Sequence, residues 1–288
     1  MKPRTIIAIA VTLLFWGSAY AGIRQSLREF DPAPLALLRY LVASATMALY
    51  AMWVGIRPPE AKDLPAIVIC GLVGIAVYHI LLNTGQQTVQ AGAAGFLIGT
   101  SPIFTVLLAC VYLRERLRLW GWLGILISFA GVPLIALGQS KELRFDHNAL
   151  LILGAAICAS IYTVYQKPFF KKYTAFEFSA YMIWAGTACL LVFLPAMLTQ
   201  AHKASWDTIF VVGYLGIFPG AIAYVSWAYI LARHQVSTVV TLLYLLPVLA
   251  MLIAMIWLGE LPTYLSLAGG ALALTGVIIV HRWGRSIS

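Results

Sequence analysis

Ten apolar runs, each close to the length that crosses a bilayer as a helix, make up most of this chain, and its charges fall in the gaps between them. The runs are roughly 5–23, 34–54, 65–82, 91–113, 119–137, 149–166, 178–198, 207–231, 237–258 and 263–281. A membrane helix needs about 20 mostly apolar residues to cross the hydrocarbon core. In lipid every backbone N–H and C=O must pair within the spanning structure, so runs of this length are helices. Clusters such as Arg57-Pro58-Pro59-Glu60 and Lys167-Pro168 punctuate them, and no gap is long enough for a soluble domain. Charged residues are only 10% of the 288, against about 25% in a soluble domain. That leaves too little polar material to cover a water-facing surface. The expected fold is an all-α membrane protein of ten transmembrane helices.

The first run follows Met1-Lys2-Pro3-Arg4 and resembles a signal peptide in outline. Nothing like a small-x-small cleavage site leads from it into a soluble domain, and nine more runs follow, so it is expected to stay as the first span. Basic residues set orientation. With the N-terminus in the cytoplasm, thirteen of the nineteen Lys and Arg fall on the cytoplasmic side. Only Arg24, Arg28, Lys141, Arg144 and Lys203 fall outside, and Arg39 lies within the second run. Both termini are therefore expected in the cytoplasm, in a bacterial inner membrane. The net charge of +9 is this inside bias, and no basic-aromatic patch suggests nucleic acid as a partner.

A repeat runs through the chain at an offset of 145 residues. It pairs Gln90 with Gln235, Pro102 with Pro247, Leu113 with Leu258, Glu115 with Glu260, Gly124 with Gly269 and Gly131 with Gly276. Two copies of one module are expected, residues 1–140 and 141–288. Five helices per copy make the second enter from the opposite face, so the copies are inverted. Inverted repeats put a binding site at their interface, and rocking one against the other gives alternating access.

On these residues the chain resembles the EamA-type ten-helix exporters of the drug/metabolite transporter superfamily. The likeness is carried by Phe15-Trp16-Gly17-Ser18, by Ser101-Pro102 to Arg114-Glu115, and by the repeat of that segment in Leu246-Pro247 to Leu258-Gly259-Glu260. The glycine pairs of the fifth and tenth runs fit it too, and it covers the whole length. Within the superfamily the chain most resembles bacterial aromatic amino acid exporters, a likeness of overall sequence rather than of one motif. The resemblance implies a small-molecule cargo and no cofactor.

The interiors of the runs hold no Asp, Glu or Lys. Ionisable groups at membrane depth mark ion and proton pathways, so their scarcity favours a neutral or zwitterionic cargo over a cationic drug. His79 is the one titratable candidate inside a run, as a cavity-lining group, a proton-sensitive group or a neutral helix-to-helix hydrogen bonder. Arg39, a turn or two into the second run, reads as a structural anchor snorkelling to the outer interface, with a carboxylate ligand as the alternative. Mid-run aromatics suggest a cavity wall: Trp16, Tyr20, Tyr78, Tyr162, Tyr165, Tyr224, Trp227 and Tyr244. Their polar tips need partners that a wet cavity supplies. Trp53, Trp120, Trp122, Trp184, Trp206, Trp257 and Trp283 lie nearer run ends and read as interfacial belt residues. Asn83, Gln86, Thr100 and Ser101 offer uncharged groups for an ammonium or carboxylate, or for backbone groups at a broken helix.

Gly71, Gly74, Gly95, Gly99, Pro102, Gly216, Pro219 and Pro247 stand where hinges would, although glycine serves close packing equally well. The seven-residue spacing in Gly124/Gly131 and Gly269/Gly276 reads as helix packing. Glu115 and Glu260 are expected to hold the amides of the helix start that follows each. The four cysteines lie in separate runs without metal-ligand spacing, and no metal is expected. An intramembrane enzyme would need a nucleophile, carboxylate pair or metal cluster at depth. The chain has no H-E-x-x-H, no paired aspartate and only one histidine in the run interiors, so that reading is disfavoured. The expected function is alternating-access export or facilitated passage of neutral and aromatic amino acids. A multidrug or other metabolite exporter is the alternative within the superfamily, a channel the one outside it. A monomer and a homodimer are both compatible.

Overall fold

The structure, a computed structural model, describes residues 3–113, 118–138, 146–234, 243 and 245–283. Glu115, Gln235 and Tyr244 lie outside the described residues. All regular structure among the described residues is helical. Seven stretches are long and apolar enough to cross a membrane: Pro3–Ser26, Pro32–Val54, Ala61–Gly85, Leu119–Leu137, Asn148–Lys171, Ala175–Lys203 and Trp206–Arg233. Three shorter apolar helices, Ala91–Thr105, Leu246–Leu258 and Tyr264–Val280, accompany them.

Several of the long stretches are interrupted, and each interruption has a local cause. The first two are continuous: α1 (Pro3–Ser26) and α2 (Pro32–Val54). The third is α3 (Leu64–Gly71), a π-helical turn over Leu72–Val77, then α4 (Tyr78–Gly85). Next come α5 (Ala91–Ile98) and α6 (Ser101–Leu113), separated at Gly99-Thr100 just before Pro102. Proline has no N–H to donate and fits best in the first turn of a helix, which is where Pro102 stands. α7 (Leu119–Leu137) and α8 (Asn148–Gln166) are continuous. α9 (Ala175–Leu190) passes through a short 3₁₀ turn into α10 (Leu194–Lys203), which has Pro195 in its first turn. α11 (Trp206–Leu215) leads into a second π-helical turn, Gly216–Ile222, holding Pro219, and then into α12 (Ala223–Arg233). α13 (Leu246–Leu258) and α14 (Tyr264–Trp283) complete the described chain.

Outward faces stay apolar, as lipid contact requires. Met52, Trp53, Val192, Phe210, Ile256 and Tyr264 are among the large exposed side chains. Trp120, Trp122, Trp206 and Trp283 are exposed as well. Trp184 is half-buried in α9, and its Nε1 donates to the Ser44 carbonyl at 3.2 Å.

α7 and α14 pack against each other through glycine. A Cβ placed on Gly124 would stand 2.7 Å from the Gly276 carbonyl oxygen, and one on Gly269 would stand 2.5 Å from that of Gly131. Such backbone contact leaves no room for any side chain. The helices run antiparallel, since Gly124 meets Gly276 and Gly131 meets Gly269.

The glycines expected as hinges are also sites of close approach. Gly71 faces the Gly186 amide and the Met182 carbonyl on α9. Gly95 and Gly99 face Ala250 and Pro247, and Gly216 faces Val42 and the Arg39 carbonyl. Gly74 lies against the Tyr162 ring, which would stand 2.8 Å from an added Cβ. Gly74 and Gly216 each belong to a π-helical turn.

Glu260 departs from expectation. It does not hold the helix that follows it. Its Oε2 accepts the Ala91 amide at 2.9 Å, at the start of α5, and its Oε1 pairs with Arg24 Nε at 3.3 Å. Gly259 is the reason. Its φ of +67° ends α13 in the left-handed conformation that glycine tolerates best. The chain then turns back, and the carboxylate meets an unsatisfied helix N-terminus, where negative charge is favoured. Arg24 also donates through Nη1 to the carbonyls of Gln86 and Gln87, at 2.5 and 2.6 Å.

Candidate functional site

A cavity opens among α1, α2, α4, α6, α8 and α12. Its lining follows helical spacing on each element. Trp16, Ala19, Tyr20 and Ile23 come from α1; Tyr78, His79 and Leu82 from α4; Ser101 and Thr105 from α6. Ala159, Ser160, Tyr162 and Thr163 come from α8, and Tyr224 and Trp227 from α12. Arg39, Ile98, Leu243 and Leu246 complete it. The space open to the centre of a water-sized sphere is about 60 Å³, room for several waters.

Tyr224 is central to the aromatic wall. Its ring centroid lies 5.5 Å from that of Trp16, edge to face, 6.2 Å from Tyr162 and 6.4 Å from Tyr40. Trp16 also meets Trp227 at 5.5 Å. These separations suit the ring quadrupoles, which favour edge and tilted contacts over face-to-face stacking. The Tyr224 hydroxyl donates to the Gly74 carbonyl at 3.4 Å, tying α12 to the first π-helical turn.

His79 has both ring nitrogens engaged. Nδ1 lies 2.9 Å from the Ile75 carbonyl and Nε2 lies 3.0 Å from the Tyr40 hydroxyl. A carbonyl only accepts, so the network assigns a proton to Nδ1 and leaves Nε2 to accept from Tyr40 in the neutral ring.

Arg39 is where sequence reasoning and structure part most clearly. It does not snorkel to an interface. Its side chain is buried, with 2% of the residue exposed, and it lines the cavity. Nε donates to the Leu215 carbonyl at 3.1 Å. Pro219 occupies the i+4 position to Leu215 and has no N–H to give, so this carbonyl lacks its usual α-helical donor. Nη1 is buried and without a partner, and so is Nε1 of Trp227. The cavity therefore holds a charged group, although run interiors without Asp, Glu or Lys suggest an uncharged wall.

Of the expected binding residues, Trp16, Tyr20, Tyr78, His79, Ser101, Tyr162, Tyr224 and Trp227 meet in this one space. Asn83 and Thr100 do not line it. Asn83 Nδ2 donates to the Pro32 carbonyl at 2.8 Å, joining α4 to the start of α2. Thr100 Oγ1 donates to the Leu97 carbonyl at 2.7 Å, across the break between α5 and α6. Gln86 likewise serves the backbone, donating through Nε2 to the Tyr20 carbonyl at 3.0 Å. Tyr165 is 41% exposed on the outer side of α8. Ser160, Thr105 and Thr163 line the cavity as well. Thr105 stands four residues after Ser101 on the same helix face, a spacing legible in the sequence, whereas Ser160 and Thr163 do not share the spacing of Tyr162.

A bundle of apolar helices, seven of its stretches long enough to cross a membrane, is the architecture of a multi-pass membrane protein. Comparison with known proteins agrees. The EamA-like transporter family matches the chain twice, over residues 3–137 and 148–282. The chain belongs to that family and is a membrane transporter, not an enzyme. It is 39% identical to the probable terminal-alkyne amino-acid exporter of Streptantibioticus cattleyicolor, over 97% of this chain and 94% of that protein. It is 40% identical to the uncharacterized transporter YdfC of Bacillus subtilis, over 98% of this chain and 93% of that one. A crystal structure 22% identical in sequence superposes with a TM-score of 0.66, covering 97% of this chain and 96% of that one. At that identity the likeness concerns the fold.

Proposed function

We propose that this protein exports, or facilitates the passage of, neutral and aromatic amino acids by alternating access between two inverted five-helix repeats. The observation that carries the reading is the aromatic-polar cavity, whose walls come from both family-matched stretches: α1, α2, α4 and α6 from the first, α8 and α12 from the second. Tyr and Trp faces suit an apolar or aromatic side chain. The amino-acid exporter among its relatives supports the same cargo class.

The α7–α14 contact supports the inversion. Gly124 and Gly269 are repeat equivalents, as are Gly131 and Gly276. Exchanging the copies turns the Gly124–Gly276 contact into the Gly269–Gly131 contact. A two-fold axis that swaps antiparallel helices lies perpendicular to them, hence in the membrane plane. In this reading the three shorter helices join the seven long stretches as ten crossings. The termini are cytoplasmic, the membrane is the inner one, and the copies divide near residue 140. The π-helical turns at Leu72–Val77 and Gly216–Ile222, with the break before Pro102 and with Pro247 in the first turn of α13, are the flexing points, π turns being frequent at functional sites.

Counterflow in proteoliposomes tests the reading. Vesicles loaded with unlabelled phenylalanine or leucine are expected to accumulate the labelled compound transiently and saturably. A carrier exchanges in this way and a channel does not. Exchange of a cationic dye, with none of any amino acid, would make the protein a drug exporter and overturn the assignment.

A further inference from the structure

We infer that Arg39 is the carboxylate anchor of the cavity, and that the cargo class is the small monocarboxylate with an apolar or aromatic tail, its α-amino group dispensable. This rests on the transport reading above and narrows it.

The charge balance of the site leads there. A guanidinium is permanently charged, and burying it unpaired is costly. None of the ion pairs formed among the described residues includes Arg39, and no Asp or Glu lines the cavity. Nε is held by the Leu215 carbonyl, which fixes the plane of the guanidinium and leaves Nη1 unpartnered. The second unpartnered buried group in the wall, Trp227 Nε1, is also a pure donor. Two donors without acceptors, one of them cationic, call for an anionic acceptor, and planar guanidinium matches carboxylate geometry.

The ammonium of an amino acid finds no corresponding anion. Two hydroxyls of the lining point at backbone carbonyls: Ser160 Oγ, with one proton to give, lies 2.7 Å from that of Ser101 and 2.9 Å from that of Ala156, and Thr105 Oγ1 donates to that of Ser101 at 3.1 Å. Their lone pairs can solvate an ammonium but cannot neutralise it. A zwitterion therefore leaves the loaded site with one net positive charge, an N-acyl amino acid leaves it neutral, and an amine leaves it with two. Affinity should follow that order from the neutral site upward.

The test is competition for counterflow in proteoliposomes by four compounds sharing one ring: N-acetyl-phenylalanine, phenylalanine, phenylalanine amide and phenethylamine. The wild type is expected to take N-acetyl-phenylalanine at least as well as phenylalanine, and to disfavour the amide and the amine by about tenfold or more, a charge-assisted hydrogen bond being at stake. Arg39→Gln is expected to lose that preference and Arg39→Lys to keep part of it. Trp227→Phe, which removes only the Nε1 donor, should weaken the carboxylates severalfold. Equal handling of phenylalanine and its amide by the wild type would overturn the inference while leaving amino-acid transport standing. So would an unchanged preference in Arg39→Gln. If none of the four competes, or only the amine does, the transport reading itself falls. Should Arg39→Gln fail to fold, the wild-type order among the four compounds still decides.

Discussion

His79 and Tyr40 form a closed pair at the cavity wall, and that closure predicts how each tolerates change. The imidazole bridges the Ile75 carbonyl and the Tyr40 hydroxyl. Gln can both donate and accept at similar reach, so His79→Gln should keep most transport activity. His79→Leu leaves the buried Tyr40 hydroxyl without its imidazole acceptor, at a cost of about 1–3 kcal/mol. Thermal unfolding of the purified protein should rank wild type, Gln and Leu in that order. Equal stability of Leu and Gln variants would show that the pair contributes nothing. In the wall itself, Trp227→Ala and Tyr78→Ala should weaken aromatic cargo more than alanine or serine, because the lost surface is the face that stacks. Much of this wall could be read from the sequence, since a Tyr or Trp in mid-run must find a partner for its polar tip. Arg39 was misread for a physical reason. Its depth along α2 permits snorkelling, and only tertiary packing turns it toward the carbonyl that Pro219 leaves without its usual helical donor. For Asn83 the sequence leaves a cargo group and a backbone group both open, and its amide serves the Pro32 carbonyl, a need that spacing within one helix does not disclose.

Glycine decides the contact between α7 and α14. Gly124→Ala would put a methyl group 2.7 Å from the Gly276 carbonyl oxygen and 2.9 Å from the Val280 amide. Backbone on both sides cannot yield as a side chain tip does, so a loss of about 1–3 kcal/mol or more is expected. Gly213→Ala is the control, for nothing lies within 4 Å of its added Cβ. It should be neutral or slightly stabilising, as helical Gly costs about 0.5–1 kcal/mol relative to Ala. Melting temperatures of the two variants check this, and equal values would refute the packing role. Another inter-element contact carries a pH signature. Glu29, between α1 and α2, accepts the Ser205 amide at 2.7 Å, the Ser205 hydroxyl at 2.8 Å and the Thr208 hydroxyl at 2.9 Å, at the start of α11. These bonds, the Ser205 amide foremost, hold its carboxyl below the usual value. A depressed carboxyl stabilises above the unfolded pKa of about 4.3 and loses that contribution as pH falls through the lower folded value. Hydrogen exchange at the first turn of α11 should therefore stay slow at neutral pH and accelerate, beyond the intrinsic change, only in acid. Glu29→Gln should show the acid behaviour at pH 7.

At the scale of the whole molecule, the length and composition of the apolar runs marked the stretches that are helices long enough to cross a membrane, because that property depends on composition more than on partners. The breaks were harder to read. Pro102 announced its own, whereas the π-helical turn at Leu72–Val77 contains no proline and follows from packing between Gly71 and α9 and between Gly74 and Tyr162. The direction of the chain through the membrane is the remaining prediction, and it follows from charge. Lys171 belongs to the cluster after α8 that the basic-residue bias places in the cytoplasm. Lys203, at the end of α10, belongs to the sparse outer set. Both are exposed, so a cysteine at either position can react with an impermeant maleimide if it faces the reagent. The native Cys70, Cys110, Cys158 and Cys189 are first replaced by serine or alanine. In intact cells Lys203→Cys should label and Lys171→Cys should not; in inverted vesicles the pattern should reverse. The two positions lie across one crossing, Ala175–Lys203, so labelling of both from the same side would deny that this segment spans. The opposite pattern would keep every helix in place while putting the Arg24–Glu260 clamp on the cytoplasmic face.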